Sequence, residues 1–380
     1  MTDESRTSRE PNFALSGPRG TLVTFDEAER VHGCHGEPRV LLRDAARALG
    51  RARLNGQRYL VGALPFSATE PVKLFVPAQV SRSFDVDIEA PSPRLGVGAV
   101  NAATHRDSRF VHLVQETLDV IERGDLEKAV IARSETLPLS RRPSVPTLLA
   151  RLRRENPTGN TYALHIEDAE RRDAYLVGSS PELLVSRRGE RVVSIPLAGT
   201  CRRGRSRAED AERTRALLES EKDRREHRLV VEEIVERLKP LSRPLKFSPI
   251  PSVIATPTLL HLATRIEGRL VDPATTALGL ALALHPTAAV CGVPRAAAAD
   301  YLARKEGSSR GFFTGTVGYV DVEGDGDWIV AIRCAVVTDV TARLFAGAGI
   351  VRGSVAEMEY LETEAKMHVM RQVFGLGSEP

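Results

Sequence analysis

Apolar residues recur at two different spacings along this chain, and each spacing predicts one kind of element. Leu229, Val230, Ile234 and Leu238 repeat with the spacing of one helix face. Other stretches are short apolar runs bounded by polar or turn-forming residues, which predicts strands. Because runs of strands are interrupted by pairs of helices, the pattern favours an α+β protein with largely antiparallel sheets.

The predicted elements form two groups separated by a polar stretch. We predict strands at 20–25, 59–63 and 72–76 with a helix at 41–49, then helices at 110–121, 146–155, 208–239, 275–284 and about 355–373, and strands at 129–136, 161–166, 175–179, 183–187, 191–196, 315–322, 328–338 and 341–347. Residues 1–12 are expected to be a disordered tail, and 84–108 a polar connector.

Length and charge exclude several classes of protein. With 380 residues, of which 42% are apolar, the chain can bury a large core as one big domain or two ordinary ones. It has 53 basic and 50 acidic residues, so no overall field attracts nucleic acid or a membrane surface. No apolar run is long enough to span a bilayer, and the first ten residues lack the apolar core of a secretion signal. We therefore expect a cytoplasmic protein with its four scattered cysteines reduced.

Two acidic helices far apart in the sequence are the strongest chemical signal. SEKDRREH at 220–227 opens the helix that carries Glu226. In the last helix, Glu359, Glu362 and Lys366 stand at three- and four-residue spacings and share a face. Carboxylates brought together from two helices suit a hard divalent cation. The default alternative is a solvated acidic surface with a routine Glu362–Lys366 ion pair, and Lys128 would by default be a solvated lysine at the head of a strand.

Eight segments in order resemble the chorismate-utilising enzyme family, which includes isochorismate, salicylate, anthranilate and aminodeoxychorismate synthases. They are EKAVIAR (127–133), GSSPELL (178–184), PLAGT (196–200), SEKDRREH (220–227), TPTLLHLAT (256–264), HPTAAVCGVPR (285–295), IRCA (332–335) and GAGIVRG (347–353). The resemblance is strong over 106–376 and loose over 13–105. It implies one large domain over 13–376, in which two largely antiparallel sheets form a sandwich with helices outside.

The resemblance is greatest to isochorismate synthases, which implies Mg²⁺-dependent conversion of chorismate to isochorismate. That reaction adds water at carbon 2 of the ring and removes the carbon 4 hydroxyl. The product would feed siderophore or other secondary-metabolite biosynthesis, or menaquinone biosynthesis. The resemblance implies a monomer without a glutamine amidotransferase subunit, a nucleic-acid partner or a membrane partner.

The family motifs also imply roles for individual residues. Lys128 matches the lysine that activates water, and Glu182 the general acid for the departing hydroxyl. Glu226 and Glu362 match the Mg²⁺ ligands, with Glu359 nearby. The remaining matched positions imply substrate binding: Arg333 and Lys366 for the carboxylates, Gly199, Gly347 and Gly349 for close backbone approach, and His261, Ala289 and Val290 as further pocket residues.

Two alternatives remain open. A salicylate synthase would share Lys128, Glu182 and the metal ligands, and would also eliminate pyruvate from isochorismate. The segments 261–268 and 285–292 resemble isochorismate synthases, which disfavours this alternative. The second alternative is a non-catalytic chorismate-binding protein. The presence of all proton-transfer and metal residues disfavours it.

Overall fold

The computed structural model describes residues 10–83 and 107–376, and within them the chain is built from helices and antiparallel strands. The helices are α1 (Pro38–Leu54), α2 (Ser108–Glu122), α3 (Val145–Glu155), α4 (Arg207–Glu219), α5 (Glu221–Leu238), α6 (Ala277–Leu284), α7 (Arg295–Lys305) and α8 (Ala356–Val373). The strands are β1 (Phe13–Gly17), β2 (Gly20–Val31), β3 (Tyr59–Leu64), β4 (Lys73–Ser81), β5 (Lys128–Pro138), β6 (Asn160–Glu167), β7 (Asp173–Ser180), β8 (Leu183–Arg188), β9 (Arg191–Ile195), β10 (Leu197–Arg202), β11 (Ser252–Ala255), β12 (Leu259–Ala263), β13 (Ile266–Arg269), β14 (Gly292–Val293), β15 (Thr316–Asp321), β16 (Gly326–Val330), β17 (Cys334–Val337) and β18 (Thr341–Val351).

In the described ranges, most strands belong to one continuous sheet. Its 15 strands have the order β13-β9-β8-β16-β15-β3-β4-β2-β1-β6-β7-β17-β18-β5-β14. Strand β3 pairs with β15, and β1 pairs with β6, both antiparallel. The sheet therefore runs through the N-terminal and C-terminal parts of the sequence. The expected α+β class with antiparallel sheets is confirmed.

The large sheet bends so that strands far apart in its order share one core. Phe13 in β1, Phe75 in β4, Tyr162 in β6, Ile329 in β16 and Phe345 in β18 belong to one cluster of buried side chains. The layers of the expected sandwich are thus two regions of one sheet. Burying each such side chain contributes about 1.5–3 kcal/mol, which favours the bend.

Helices cover the outer faces of this sheet, as expected. The helices α1, α5 and α6 bury apolar residues against β3, β8 and β16. On the opposite side, α3 and α8 pack on β6, β7, β17 and β18, while α2 and α7 pack on β5 and β18. This packing fixes the positions of α5 and α8, the two predicted acidic helices, relative to the strands between them.

The second sheet in the described ranges has three strands, in the order β10-β12-β11, and it is small. It shares a small apolar cluster with α4, formed by Leu217, Leu260 and Leu262. At its edge, Ser220 Oγ accepts a hydrogen bond of 3.2 Å from the Asp223 N–H and caps the start of α5. The cap places Glu226 in the second turn of that helix.

The strand predicted at 328–338 is interrupted, and that part of the prediction was wrong. Strand β16 ends at Val330 and β17 begins at Cys334. Arg333 lies between them with a φ of 51°, in the left-handed region that L-residues rarely adopt. The apolar pattern continues through the break, because Ala331 is buried, so periodicity alone could not reveal it.

Several short elements were not predicted from the sequence. The helix α7 was not predicted, because its alanine-rich start carries little periodic contrast. The short strands β10 to β13 were also missed. The predicted tail lies outside the described residues up to residue 9, and the predicted connector does so over 84–106.

The structure also bears on the state of the cysteines and on membrane-spanning helices. All four cysteines are free thiols, as expected. Among the described helices, none combines the length and apolar character needed to cross a membrane.

Candidate active site

A small cavity of about 60 Å³ lies where β10, β12, α5, β18 and α8 meet. Ten of the thirteen residues predicted for the site line it: Glu182, Gly199, Glu226, His261, Ala289, Val290, Arg333, Gly347, Gly349 and Lys366. The other three, Lys128, Glu359 and Glu362, lie in contact with lining residues or their partners. The structure therefore brings together residues that are spread along the sequence from Lys128 to Lys366.

Lys128 and Glu226 form a buried ion pair, in which Glu226 lines the cavity and Lys128 lies behind it. Lys128 Nζ lies 3.0 Å from Glu226 Oε1, and the lysine side chain is fully buried. Burial raises the pKa of Glu226, but the ammonium groups of Lys128, Lys222 and Lys366 outweigh it, and the pKa is lowered. Glu226 is therefore ionised at neutral pH.

Gly349 makes room for this pair. A Cβ atom at position 349 would lie 2.1 Å from Glu226 Oε1 and 3.0 Å from Lys128 Cε. The first distance is far shorter than a real Cβ contact, and the second is at the tight limit of such contacts. Gly349 and Gly347 lie in β18, in register with Val130 and Ala132 of β5. The geometry thus gives Gly349 a clear steric role, and the predicted contact of its backbone with a substrate carboxylate stays a prediction.

Glu182 is a buried carboxyl group that holds its proton unusually well. It follows Pro181 at the start of β8 and is 3% exposed. Burial raises its pKa to about 7, against the lowering effects of the Leu197 N–H and of the cations Lys128 and Arg333. A carboxyl group with this pKa is substantially protonated at neutral pH and can donate that proton.

Arg333 and His261 form a polar wall opposite the glycine-rich strand. Thr200 Oγ1 lies 2.9 Å from His261 Nδ1, and Arg333 Nη2 lies 3.5 Å from His261 Nε2. Burial lowers the pKa of His261 well below its ordinary value, and Arg333 and Lys366 lower it further. His261 is therefore neutral. Burial also lowers the pKa of Arg333, to about 10, so its guanidinium stays charged at neutral pH.

Lys366 joins the cavity to the acidic face of α8. Its Nζ donates hydrogen bonds to the Gly347 carbonyl oxygen at 2.8 Å and to Glu362 Oε1 at 2.5 Å. Both Glu362 and Lys366 are largely buried, with side chains 14% and 13% exposed. The pair is therefore part of the site, and the alternative of a solvated surface pair does not apply.

Lys222 occupies the centre of the carboxylate cluster, and sequence reasoning did not select it. Its Nζ lies 2.9 Å from Glu359 Oε1. Burial lowers the pKa of Lys222, but four carboxyl groups raise it well above its ordinary value: Glu226, Glu359, Glu362 and Asp223. The residue lies inside the SEKDRREH segment, so its place between two neighbouring acids was a signal that could have been used.

The carboxylates of this cluster repel one another. Burial, and after it the charge of Glu362, raise the pKa of Glu359 to about 7. Because these carboxyl groups lie close together, their mutual repulsion opposes ionisation of all of them at once. A hard cation would relieve that repulsion, and carboxylate oxygens are the donors it prefers. In the described residues no three carboxyl, histidine or cysteine side chains converge as a ready metal-binding group.

The smaller predicted residues line the remaining walls. Gly199 has a φ of +76°, in the left-handed region that favours glycine. A Cβ atom at this position would lie 3.0 Å from the Cβ atom of Asp223. Glycine therefore lets β10 approach the start of α5 closely. Val290 is held by its carbonyl oxygen, which accepts a hydrogen bond of 2.8 Å from Arg310. Phe313 and Phe345 also line the cavity and were not predicted, because they resemble ordinary core aromatics in the sequence.

Comparison with known proteins agrees with this geometry. The model of the family described as chorismate binding enzyme matches residues 55–375. The chain is 39% identical to an isochorismate synthase of Bacillus subtilis over 96% of this chain and 94% of the relative. It is 38% identical to an isochorismate synthase of Escherichia coli, with coverages of 83% and 81%.

A solved structure extends the agreement to the fold. It is a Bacillus anthracis protein assigned as a 2,3-dihydroxybenzoate-specific isochorismate synthase, with 37% identity and a TM-score of 0.89. The match covers 98% of each chain. Sequence, fold and cavity lead to the same conclusion: the chain belongs to the chorismate-binding enzyme family, in its isochorismate synthase group.

Proposed function

We propose that this enzyme converts chorismate to isochorismate by adding water at carbon 2 of the ring and expelling the carbon 4 hydroxyl. The observation that carries the proposal is a buried acid with a pKa of about 7, Glu182, in the cavity that also contains Glu226, the ion-pair partner of the buried Lys128. Water addition needs a base at one end of the substrate and a proton donor at the other. The names of the similar proteins support the same reaction.

Glu182 is the proposed general acid. The departing hydroxyl group is a poor leaving group unless it receives a proton as the bond to carbon breaks. With a pKa of about 7, a substantial fraction of Glu182 carries its proton at neutral pH, and the group remains acidic enough to transfer that proton. An ordinary exposed glutamate, with a pKa near 4.3, would be ionised and unable to do so.

Lys128 is the proposed base for the incoming water. Its side chain is fully buried beside Gly349 and Glu226, two residues that line the cavity. To accept a proton from water, Nζ must first be deprotonated, and Glu226 is the carboxylate beside it. Rigid placement between β5, β18 and α5 keeps the amine in one position for that transfer.

The proposed Mg²⁺ ligands are Glu226 and Glu362, with Glu359 nearby. The cluster fits the ion because its donors are carboxylate oxygens and because the repulsion between Glu359 and Glu362 would be relieved by a cation. When bound, the ion would supply positive charge for a substrate carboxylate. Lys222 and Lys366 now contact Glu359 and Glu362, so these ion pairs would have to rearrange around a metal.

The substrate carboxylates need further partners from the chain. Arg333 offers a planar fork for one carboxylate, and Lys366 offers a point charge. Neutral His261 can donate or accept one hydrogen bond beside Arg333. Ala289 and Val290 present an apolar surface suited to the ring or to the enolpyruvyl group.

Chromatography of the products formed from chorismate and Mg²⁺ tests the proposal directly. Isochorismate as the main product is the expected result. Salicylate with pyruvate would instead identify a salicylate synthase. Unchanged chorismate, under conditions in which calorimetry detects its binding, would identify a non-catalytic binding protein.

We further propose that the product feeds biosynthesis of 2,3-dihydroxybenzoate-type siderophores. Support comes from the similarity to the Bacillus anthracis protein over 98% of both chains. Complementation separates this from a menaquinone role. The gene should restore iron-limited growth to a strain that lacks its siderophore-pathway isochorismate synthase, whereas rescue confined to a menaquinone-deficient strain would contradict the proposal.

A further inference from the structure

A second cavity lies directly behind one wall of the catalytic cavity. Its volume is about 210 Å³, and it lies between the start of α2, β5 and the segment that follows α7. Phe313 and Phe345 line both cavities. Their rings are stacked, with centroids 5.0 Å apart and an angle of 15° between the planes. The two spaces are thus separated by a single pair of aromatic side chains.

The charges around the second cavity are unbalanced toward the positive. Four arginines line it, together with the two carboxylates of Asp107 and Glu306. Two of the arginines are neutralised, Arg133 by Glu364 and Arg310 by Glu306. Neither Arg109 nor Arg343 has a carboxylate partner in the described ranges.

The two unmatched arginines are held in position by neutral groups. Arg109 donates a hydrogen bond of 2.8 Å to the Glu306 carbonyl oxygen. Arg343 Nε donates one of 3.0 Å to Ser134 Oγ, and its guanidinium lies 5.2 Å from the centre of the Phe345 ring. Each guanidinium has five N–H donors, so donors remain for an anion in the cavity.

Size and lining define the chemistry of a ligand. The volume is below the range of about 300–1,000 Å³ that is usual for drug-sized ligands, so a molecule with a single ring fits best. Phe110, Leu113 and Phe345 offer an apolar and aromatic wall, while the arginines offer charge-assisted hydrogen bonds. A small aromatic carboxylate satisfies both requirements.

The catalytic cavity must expand before it can hold its substrate. About 60 Å³ is room for a few water molecules, and chorismate carries a ring, an enolpyruvyl group and two carboxylates. The Phe313–Phe345 wall has open space behind it into which it can move. A ligand in that space would hold the wall in its present position.

We propose that the second cavity is an inhibitory site for a small aromatic carboxylate, coupled to the catalytic cavity through the Phe313–Phe345 stack. The inhibitory part of this inference rests on the proposed turnover of chorismate, whereas the binding part does not. Because the ligand favours the contracted catalytic cavity, it lowers the apparent affinity for chorismate, and chorismate lowers the affinity for the ligand by the same factor.

Benzoate is the probe, and benzamide is its uncharged control of the same shape. We expect benzoate to bind in a calorimetric titration and to raise the apparent KM for chorismate, with benzamide doing neither. Arg343→Leu and Arg109→Leu, made separately, should each weaken benzoate binding about tenfold or more, because each removes a charge-assisted hydrogen bond. The KM for chorismate without benzoate should change less than about twofold, since neither side chain lines the catalytic cavity.

The matched control is Arg53→Leu, at an exposed arginine at the end of α1. It should leave benzoate binding unchanged. Benzoate affinity that is the same in both cavity variants and in the control would overturn the proposal, because the probe would then be bound elsewhere, including the catalytic cavity. Arg109 is itself exposed, so its variant provides the test even if Arg343→Leu fails to fold.

The two proposals can fail separately. If benzoate binding depends on Arg343 and Arg109 while chorismate is not converted, the site exists and the proposed reaction is wrong. If isochorismate forms normally and benzoate does not bind, the reaction stands and the second site is refuted.

Discussion

At the scale of single residues, the chemistry depends on the balance between burial and nearby positive charge at two glutamates of the cavity. Glu182 and Glu226 are both buried glutamates, at 3% and 7% exposure. Burial dominates at Glu182 and raises its pKa, whereas the cations around Glu226 lower the pKa of that group. One carboxyl group can therefore donate a proton while the other remains an anion.

Replacing Glu182 with Gln tests the proton donor. The variant keeps the shape but has no carboxylic proton, so kcat should fall by roughly two to four orders of magnitude, the usual contribution of general acid catalysis. In the parent enzyme, activity should fall as the pH rises through about 7, because Glu182 then loses its proton. The pH profile of the residual activity should lack this decline, and a loss below tenfold would point to another donor.

Replacing Lys128 with Gln tests the base. Water addition should be abolished, because the amide cannot accept a proton from water at neutral pH. Calorimetry should still detect chorismate binding, since Lys128 lies behind the cavity wall and contacts Glu226. A variant with near-normal turnover would exclude this role for the lysine.

Gly349→Ala tests the steric role of a glycine at the ion pair. The added methyl group would overlap Glu226 Oε1, so the ion pair must shift, and we expect a loss of about 1–3 kcal/mol in the free energy of unfolding with a severe loss of activity. Gly50 in α1 is the control, because no atom lies within 4 Å of a Cβ built there. Gly50→Ala should be stabilising by about 0.5–1 kcal/mol in denaturant titrations. Similar effects of both variants would refute the steric argument.

At the scale of elements, α8 carries both the acidic face and the test of the metal proposal. Glu362 is largely buried beside Lys366, whereas Glu357, five residues earlier, lies on a different and exposed face of the helix. Glu362→Ala should strongly weaken Mg²⁺ binding in calorimetric titrations, and chorismate should bind more tightly when Mg²⁺ is present. Glu357→Ala should change neither quantity. Equal behaviour of the two variants would contradict a metal site on this face.

The sequence predicted the long elements well and the site's short ones poorly. Periodicity identified α5 and α8, because apolar residues mark the buried face of each helix. It could not identify the break at Arg333, because the residues around the break are as apolar as a strand. Nor could it show that β10 and β12 close over the cavity, since that depends on pairings between residues far apart in sequence.

The site residues were predicted by motif resemblance, and their environments were not. The eight segments contain nine of the ten predicted residues that line the cavity, and Lys366 lies in the last helix beyond them. The Lys128–Glu226 ion pair and the central place of Lys222 became visible only in the three-dimensional structure. The protonation state of Glu182 is a second property that the sequence did not reveal. Its pKa depends on Leu197, Lys128 and Arg333, which come from three separate segments.

At the scale of the whole molecule, buried titratable groups link stability to pH in two directions. Burial lowers the pKa of His285 to about 3 and that of His227 to about 4, each far below the ordinary value of about 6.5. Their stabilising effect is complete above pH 6.5 and is lost as the pH falls toward those values, because only the unfolded chain takes up the protons. Glu182 and Glu359, with pKa values of about 7, act oppositely and favour the folded state as the pH falls from 7 toward 4.5.

The contribution of His285 can be isolated with a substitution that does not titrate. His285 Nε2 lies 2.9 Å from the Pro65 carbonyl oxygen, and an asparagine amide can donate a similar bond. We expect His285→Asn to be less stable at pH 7.5 but to lose less stability than the parent between pH 6.5 and 4.5, since one source of proton uptake on unfolding is gone. Denaturant titrations at several pH values measure this difference. His112→Asn, at an exposed histidine of α2, is the control and should keep the parental slope. Parallel stability curves for the parent and His285→Asn would show that His285 takes up its proton equally in the folded and unfolded states, and would contradict its burial as a neutral side chain.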